Sequence, residues 1–174
     1  LGLYRSAQTT LEQVNQTLKA WPDSLLKATG LRSLGLALQV VGDLGRSQAV
    51  LQQSLAIAQQ FNSPADINTT LFSLGNTARA LQKPEALALY QKAAETATTA
   101  IAKLEAQLNQ LSLLVETKKW AEANTLLPEI QAAIANLSPS RDAVYARVNF
   151  AQSWLKIAEE QRQLTNTQEV ARLL

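Results

Sequence analysis

Tyr4, Ala7, Leu11, Val14 and Leu18 recur at spacings of three and four. That is the one-face pattern of an amphipathic helix, and it predicts a first helix from about Leu3 to Lys19. Trp21-Pro22-Asp23 interrupts it, because the residue before a proline avoids helical dihedrals. A second helix follows from about Asp23 to Val41 and stops at Gly42, where a left-handed cap costs little. The third runs from about Leu44 to Phe61. Asn62-Ser63-Pro64 then reads as a stop followed by a start, with Ser63 as the cap and Pro64 at the first helical position. A fourth helix covers about Ala65 to Leu81, and a fifth starts near Pro84 and reaches about Thr96. After a weak boundary at Ala97-Thr98-Thr99 the sixth runs from about Ala100 to Thr117. The seventh, about Trp120 to Asn136, contains Pro128, which removes a backbone hydrogen bond and predicts a kink near Asn124. Ser138-Pro139 repeats the cap-plus-proline start for an eighth helix ending near Gln163, and a ninth occupies Thr167 to the end.

The helices are periodic as a set. Thr29-Gly30-Leu31-Arg32-Ser33-Leu34-Gly35 returns 40 residues later as Thr69-Thr70-Leu71-Phe72-Ser73-Leu74-Gly75, with five of seven positions identical. The stretch from Gly2 to Gln13 matches Gly42 to Gln53 at the same offset, pairing Gln8 with Gln48, Leu11 with Leu51 and Gln13 with Gln53. A fixed period of this length marks a stacked repeat. One such unit cannot bury its own apolar face, so neighbours stack into a solenoid. The predicted fold is all-α, an α–α superhelix of antiparallel helix pairs forming one domain over residues 1–174.

Composition agrees with helices. Leu and Ala supply 58 of the 174 residues, against 14 for Val and Ile, and the first pair are the better helix formers. The net charge of +2 comes from 16 basic and 14 acidic side chains scattered along the chain. There is no clustered basic face of the kind a nucleic-acid reader needs, and the densest spot, Lys118-Lys119, reads as a solvated helix start. The chain has no Cys and no His. This removes disulfides, thiolate metal sites and cysteine nucleophiles, together with the commonest general base and metal ligand. No cofactor is implied, and no apolar run approaches a membrane span. Glu159-Glu160 are adjacent on a helix and diverge by about 100°, so they read as a solvated face. The sequence advertises no enzyme.

Within each unit, small and large residues alternate at set positions: Leu34-Gly35, Leu38, Ser47, Leu51 and Ser54, then Leu74-Gly75, Ala78, Ala86, Tyr90 and Ala93. Trp120, Ala123, Leu127 and Ile130 give a further second helix, and Phe150-Ala151 with Trp154 a divergent first helix. This spacing resembles the tetratricopeptide repeat, in its long-helix variety. Small residues let two helices approach while large ones fill the adjoining gap. Stretches such as Leu51-Gln52-Gln53-Ser54-Leu55-Ala56-Ile57-Ala58 and Ala146-Arg147-Val148-Asn149-Phe150-Ala151-Gln152-Ser153 are similar to the repeat region of large cyanobacterial proteins. In those proteins the array precedes a caspase-like CHAT domain.

The resemblance implies a groove lined by first helices that binds a protein or peptide. It carries over to Arg32, with Leu36 and Gln39, from the second helix; Phe72, Asn76 and Arg79 from the fourth; Asn109, Ser112 and Glu116 from the sixth; and Tyr145, Asn149 and Gln152 from the eighth. Asn can donate to and accept from a peptide backbone. A solvated, unused face is the other reading of the same residues. The carboxylate grip of some family members needs three cations that these positions lack, so that activity is not implied. The functions that follow are a non-catalytic interaction scaffold, acting as a regulatory or sensor region of a CHAT-type protein, or a structural spacer or self-association module without a ligand. The chain opens at Leu1-Gly2-Leu3-Tyr4 and holds no Met, which reads as a slice of a longer array. Tyr4, Leu11 and Leu18 at one end, and Val170, Leu173 and Leu174 at the other, are then expected to be partly uncovered and to favour end-to-end self-association.

Overall fold

A computed structural model describes the backbone of residues 2–173 and the side chains of residues 5–162. Among the described residues the chain is helical throughout, with no strand. The helices are α1 (Gly2–Ala20), α2 (Leu25–Val40), α3 (Leu44–Gln60), α4 (Pro64–Ala80), α5 (Ala86–Glu95), α6 (Ala100–Glu116), α7 (Trp120–Ala135) and α8 (Arg141–Leu173). Helices adjacent in sequence pack in pairs, α2 on α3, α3 on α4, α4 on α5 and α7 on α8, as short connections require. The chain divides into two compact units, Leu1–Lys103 and Leu104–Leu174.

The expected nine helices become eight among the described residues, because the ninth is the continuation of α8. Thr165-Asn166-Thr167 has only modest helix propensity, and propensity alone does not break a helix. The start of α8 is also later than expected. Ser140, not Ser138, caps it, its hydroxyl accepting from the Ala143 N–H at 3.1 Å. Ser24 caps α2 and Asp43 caps α3 in the same way. Ser63 precedes Pro64 at the start of α4 as the sequence indicates, but its hydroxyl makes no cap bond and donates to Asp66 at 2.7 Å. α7 runs through Pro128 as a single element.

Four helices end in one geometry. The N–H groups of Gly42, Asn62, Gln82 and Lys118 reach back to the carbonyls of Gln39, Gln59, Arg79 and Val115, and those of Asp43, Ser63, Lys83 and Lys119 to the carbonyls of Leu38, Ala58, Ala78 and Leu114. This doubly bonded cap needs a left-handed residue at its centre. Gly42 supplies it at φ +84°, whereas Asn62, Gln82 and Lys118 adopt φ of 49°, 54° and 57° despite their side chains. The first three caps stand 20 residues apart, so the 40-residue sequence period is two helices and two identical turns.

In the first unit every small and large position of the repeat is buried: Leu34, Gly35, Leu38, Ser47, Leu51 and Ser54, and again Leu74, Gly75, Ala78, Ala86, Tyr90 and Ala93. The glycines are matched to their neighbours. A Cβ on Gly35 would stand 2.5 Å from Leu51 Cγ, and one on Gly75 would stand 2.7 Å from the Tyr90 ring. Leu51 and Tyr90 are equivalent once the shorter register of the second turn is counted. α3 is wedged between α2 and α4 by two layers of hydroxyls seven residues apart. Ser47 Oγ donates to Gly35 O at 2.8 Å and lies 3.2 Å from Thr77 Oγ1, and Ser54 Oγ donates to Ala28 O at 2.7 Å and lies 3.3 Å from Thr70 Oγ1. Such small side chains bring three helices together while every buried hydroxyl keeps a partner.

α1 closes one side of this core. Leu18 is 5% exposed and joins Ala28, Leu31, Leu34, Leu38, Val50 and Ile57, with Leu11 packed against them. The expectation that Leu18 is partly uncovered is therefore corrected, whereas Leu11 is half-buried, as expected. Gly30 leaves the space that Leu18 fills, which seats this end of α1 on α2, while Val14 stays 40% exposed. Tyr4, Val170, Leu173 and Leu174 lie outside the residues whose side chains are described. In the second unit the core comprises Leu104, Leu108, Leu111, Leu114 and Val115 of α6, Ala123, Ile130 and Ile134 of α7, and Ala143, Ala146, Phe150 and Ile157 of α8.

Candidate functional site

The groove residues read from the sequence fall on both units. In the first unit Arg32, Phe72 and Asn76 are built into the fold, whereas Leu36 is exposed. Arg32 pairs with Asp66 at 3.3 Å and also donates to Thr69 Oγ1, tying α2 to α4. Phe72 packs on the Tyr90 ring with centroids 6.0 Å apart. Asn76 Oδ1 accepts from the Tyr90 hydroxyl at 2.7 Å. Tyr90 itself is fully buried, so Asn76 satisfies a core side chain of the neighbouring α5. Arg79 is half-buried on the same helix, and Leu36 and Gln39 lie on α2.

In the second unit the polar residues gather around a cleft. Leu108, Asn109, Ser112 and Val115 of α6 and Asn149, Gln152, Ser153 and Lys156 of α8 enclose about 220 Å³. Three of the expected residues, Asn109, Asn149 and Gln152, thus line one cavity, together with Ser112. Their helix spacing explains it. On α6, residues 108, 109, 112 and 115 share a stripe, as do 149, 152, 153 and 156 on α8. Leu108 and Val115 are buried and supply an apolar wall. Asn109 Nδ2 donates to Glu105 O of its own helix at 3.0 Å, which fixes the amide at the edge of the cleft. Glu116 is exposed and does not line it. Tyr145 is exposed too, with the Arg141 guanidinium 5.4 Å above its ring and bonded to its hydroxyl at 3.3 Å.

Four cleft residues lie outside the set read from the sequence: the wall residues Leu108 and Val115, the buried Ser153, and Lys156. The stripe 149, 152, 156 continues by the same three-and-four spacing and was the available signal for the last. Lys156 is the only charged group lining the cleft, so the site is a set of amides and hydroxyls with one cation. Below it, Glu105 on α6 holds its proton more tightly than an ordinary carboxyl, first because of burial and second because Asp142 of α8 is close.

Among the described residues no group of three or more His, Cys, Asp or Glu could hold a metal ion, and no helix is long and apolar enough to cross a membrane. Trp21 and Trp120 sit at helix ends, whereas Trp154 lies mid-helix, half exposed and packed on Phe150 with ring centroids 5.7 Å apart. No protein-family model matches the chain, and no curated protein matches it.

Proposed function

We propose that this chain is a non-catalytic protein-interaction scaffold of the tetratricopeptide type, and that the cleft between α6 and α8 receives an extended segment of a partner protein. The observation that carries this reading is the convergence of Asn109, Asn149 and Gln152 on one cleft over the apolar wall of Leu108 and Val115. An amide offers both a donor and an acceptor to a peptide bond, and three of them from two helices border this one cleft. At about 220 Å³ the cleft is smaller than a small-molecule pocket of about 300–1,000 Å³. A chain without His or Cys lends itself to binding before catalysis. The repeat stretches that resemble CHAT-linked arrays make the same surface a sensor or regulatory region of a larger protein of that type.

The test is selection of binders from a random library of unstructured peptides, followed by calorimetry on the full chain. The Asn109→Ala, Asn149→Ala double variant is expected to weaken a selected peptide by about tenfold or more, since each lost hydrogen bond is worth about 0.5–1.5 kcal/mol. Asn76→Ala is expected to leave the affinity unchanged. Equal binding by the double variant refutes the assignment.

A further inference from the structure

α8 carries two apolar faces, and packing within the second unit uses one. Ala143, Ala146, Phe150, Ser153 and Ile157 are buried. A second stripe, Val144, Val148, Ala151, Leu155 and Ala158, runs beside it at the same three-and-four spacing and is exposed. Val144 is 58%, Val148 46% and Leu155 61% exposed. Three large aliphatic side chains in register on one helix differ from the scattered apolar residues of an ordinary surface.

The order of residues along the stripe selects its occupant. Written as a heptad, Val148 and Leu155 take one seam position, which Arg141 and Arg162 continue at either end, while Val144, Ala151 and Ala158 take the other. A parallel pairing of two such helices sets like against like. It would bring each arginine against its own copy and leave Ala151 and Ala158 facing alanines across a gap. An antiparallel pairing sets one seam position against the other. Leu155 then meets Ala151 of the second copy, and Val148 meets Ala158 of the second copy, so these two large side chains fill the space that small ones leave, and Val144 meets the aliphatic stem of Arg162 of the second copy. The flanks agree with that direction. Tyr145, whose hydroxyl holds the Arg141 guanidinium, comes opposite Glu159 of the second copy, and Trp154 comes beside its own equivalent at the two-fold axis.

We infer that the exposed face of α8 binds a second copy of this chain, α8 against α8 in antiparallel register. None of the five seam residues lines the α6–α8 cleft, so variants within the seam test this contact apart from the peptide reading, although Gln152 of the cleft flanks it. A seam of this length lies at the small end of specific interfaces, under about 1,200 Å², and gives a reversible dimer that forms with concentration.

Sedimentation equilibrium of the full chain up to about 1 mM, with circular dichroism to verify folding, tests this. The expected result is a mass rising from one chain toward two, abolished by Leu155→Asp with the helical spectrum retained. Ala151→Leu separates the antiparallel seam from general apolar adhesion. It adds apolar surface yet fills the space Leu155 needs, so the dimer is expected to weaken. A Trp154→Cys variant, the only cysteine in the chain, is expected to cross-link two copies through a short thiol-reactive linker, whatever the stability of the other variants. A monomer at every concentration overturns the proposal. So does a dimer that survives Leu155→Asp, or one that Ala151→Leu strengthens.

Discussion

Asn76 of α4 and Asn109 of α6, six and nine residues ahead of the left-handed residues Gln82 and Lys118, meet different surroundings. Asn76 in the first unit is bonded to the buried Tyr90 hydroxyl. Asn109 in the second unit bonds, among the described residues, to its own helix at Glu105 O and borders an open cleft. The contrast extends to the units around them. The first is cross-tied by the Ser47 and Ser54 hydroxyl layers, by the glycine clefts that hold Leu51 and Tyr90, and by the Arg32–Asp66 ion pair. The second keeps polar side chains around a cavity and leaves a whole apolar stripe of α8 exposed. One repeat pattern can thus build a support and a contact surface, and what decides between them is whether a neighbouring helix supplies a buried partner for the polar face.

The strongest way to break this contrast is Gly75→Leu. The new side chain collides with a fully buried ring, and overpacking costs about 1–3 kcal/mol or more, so the midpoint of chemical unfolding should fall steeply. An unchanged midpoint would show that α4 and α5 are not locked in this way. Next in size is the pair Asn76→Ala and Asn109→Ala. The first removes a bond to a buried hydroxyl and should cost about 1 kcal/mol, whereas the second should stay within about 0.5 kcal/mol, as for an ordinary surface position. Equal losses in thermal melts would erase the distinction between the two units.

A smaller effect of opposite sign is expected at the helix ends. Gln82→Gly in the first unit and Lys118→Gly in the second both place glycine where φ is positive. Each should stabilise by up to about 1 kcal/mol, because a side chain in this conformation is strained. Similar gains at both would show that the turns are shared even where the surfaces diverge. The smallest effect belongs to Glu105. Its folded pKa is raised, so the folded state holds the proton more tightly than the unfolded chain does. The stabilisation from that proton is complete below the unfolded value and is lost as pH rises through the raised one. Glu105→Gln should therefore melt slightly higher than the parent at pH 7, with the gap closing as pH falls below the ordinary value of 4.5. A gap independent of pH would point to a packing change instead.

Most of the fold was legible in the spacing of Leu, Ala and Gly. Gly35 and Gly75 recur 40 residues apart and the residues that meet them, Leu51 and Tyr90, 39 apart, and Gly42 marks its turn because no other residue takes φ +84° so easily. Gln82 and Lys118 carry no such mark, since their left-handed geometry is imposed by the helices on either side. Ser138 looked like a cap because proline follows it, but Ser140 is the residue whose hydroxyl reaches an unpaired N–H. The cleft was half legible. Asn109, Asn149 and Gln152 follow from the helix face that the repeat resemblance implies, and Lys156 extends the same stripe by one turn. The role of Asn76 was not legible, because it depends on Tyr90, which lies 14 residues away on another helix.

The most direct test of the claim that recognition resides in the second unit is nuclear magnetic resonance of the labelled full chain, titrated with one library-selected peptide. The account predicts shift changes in the side-chain amides of Asn109, Asn149 and Gln152 and in the backbone around Ser112 and Lys156, with the Asn76 amide unmoved. Shifts centred on Arg32, Phe72 and Asn76, with the cleft unperturbed, would contradict it.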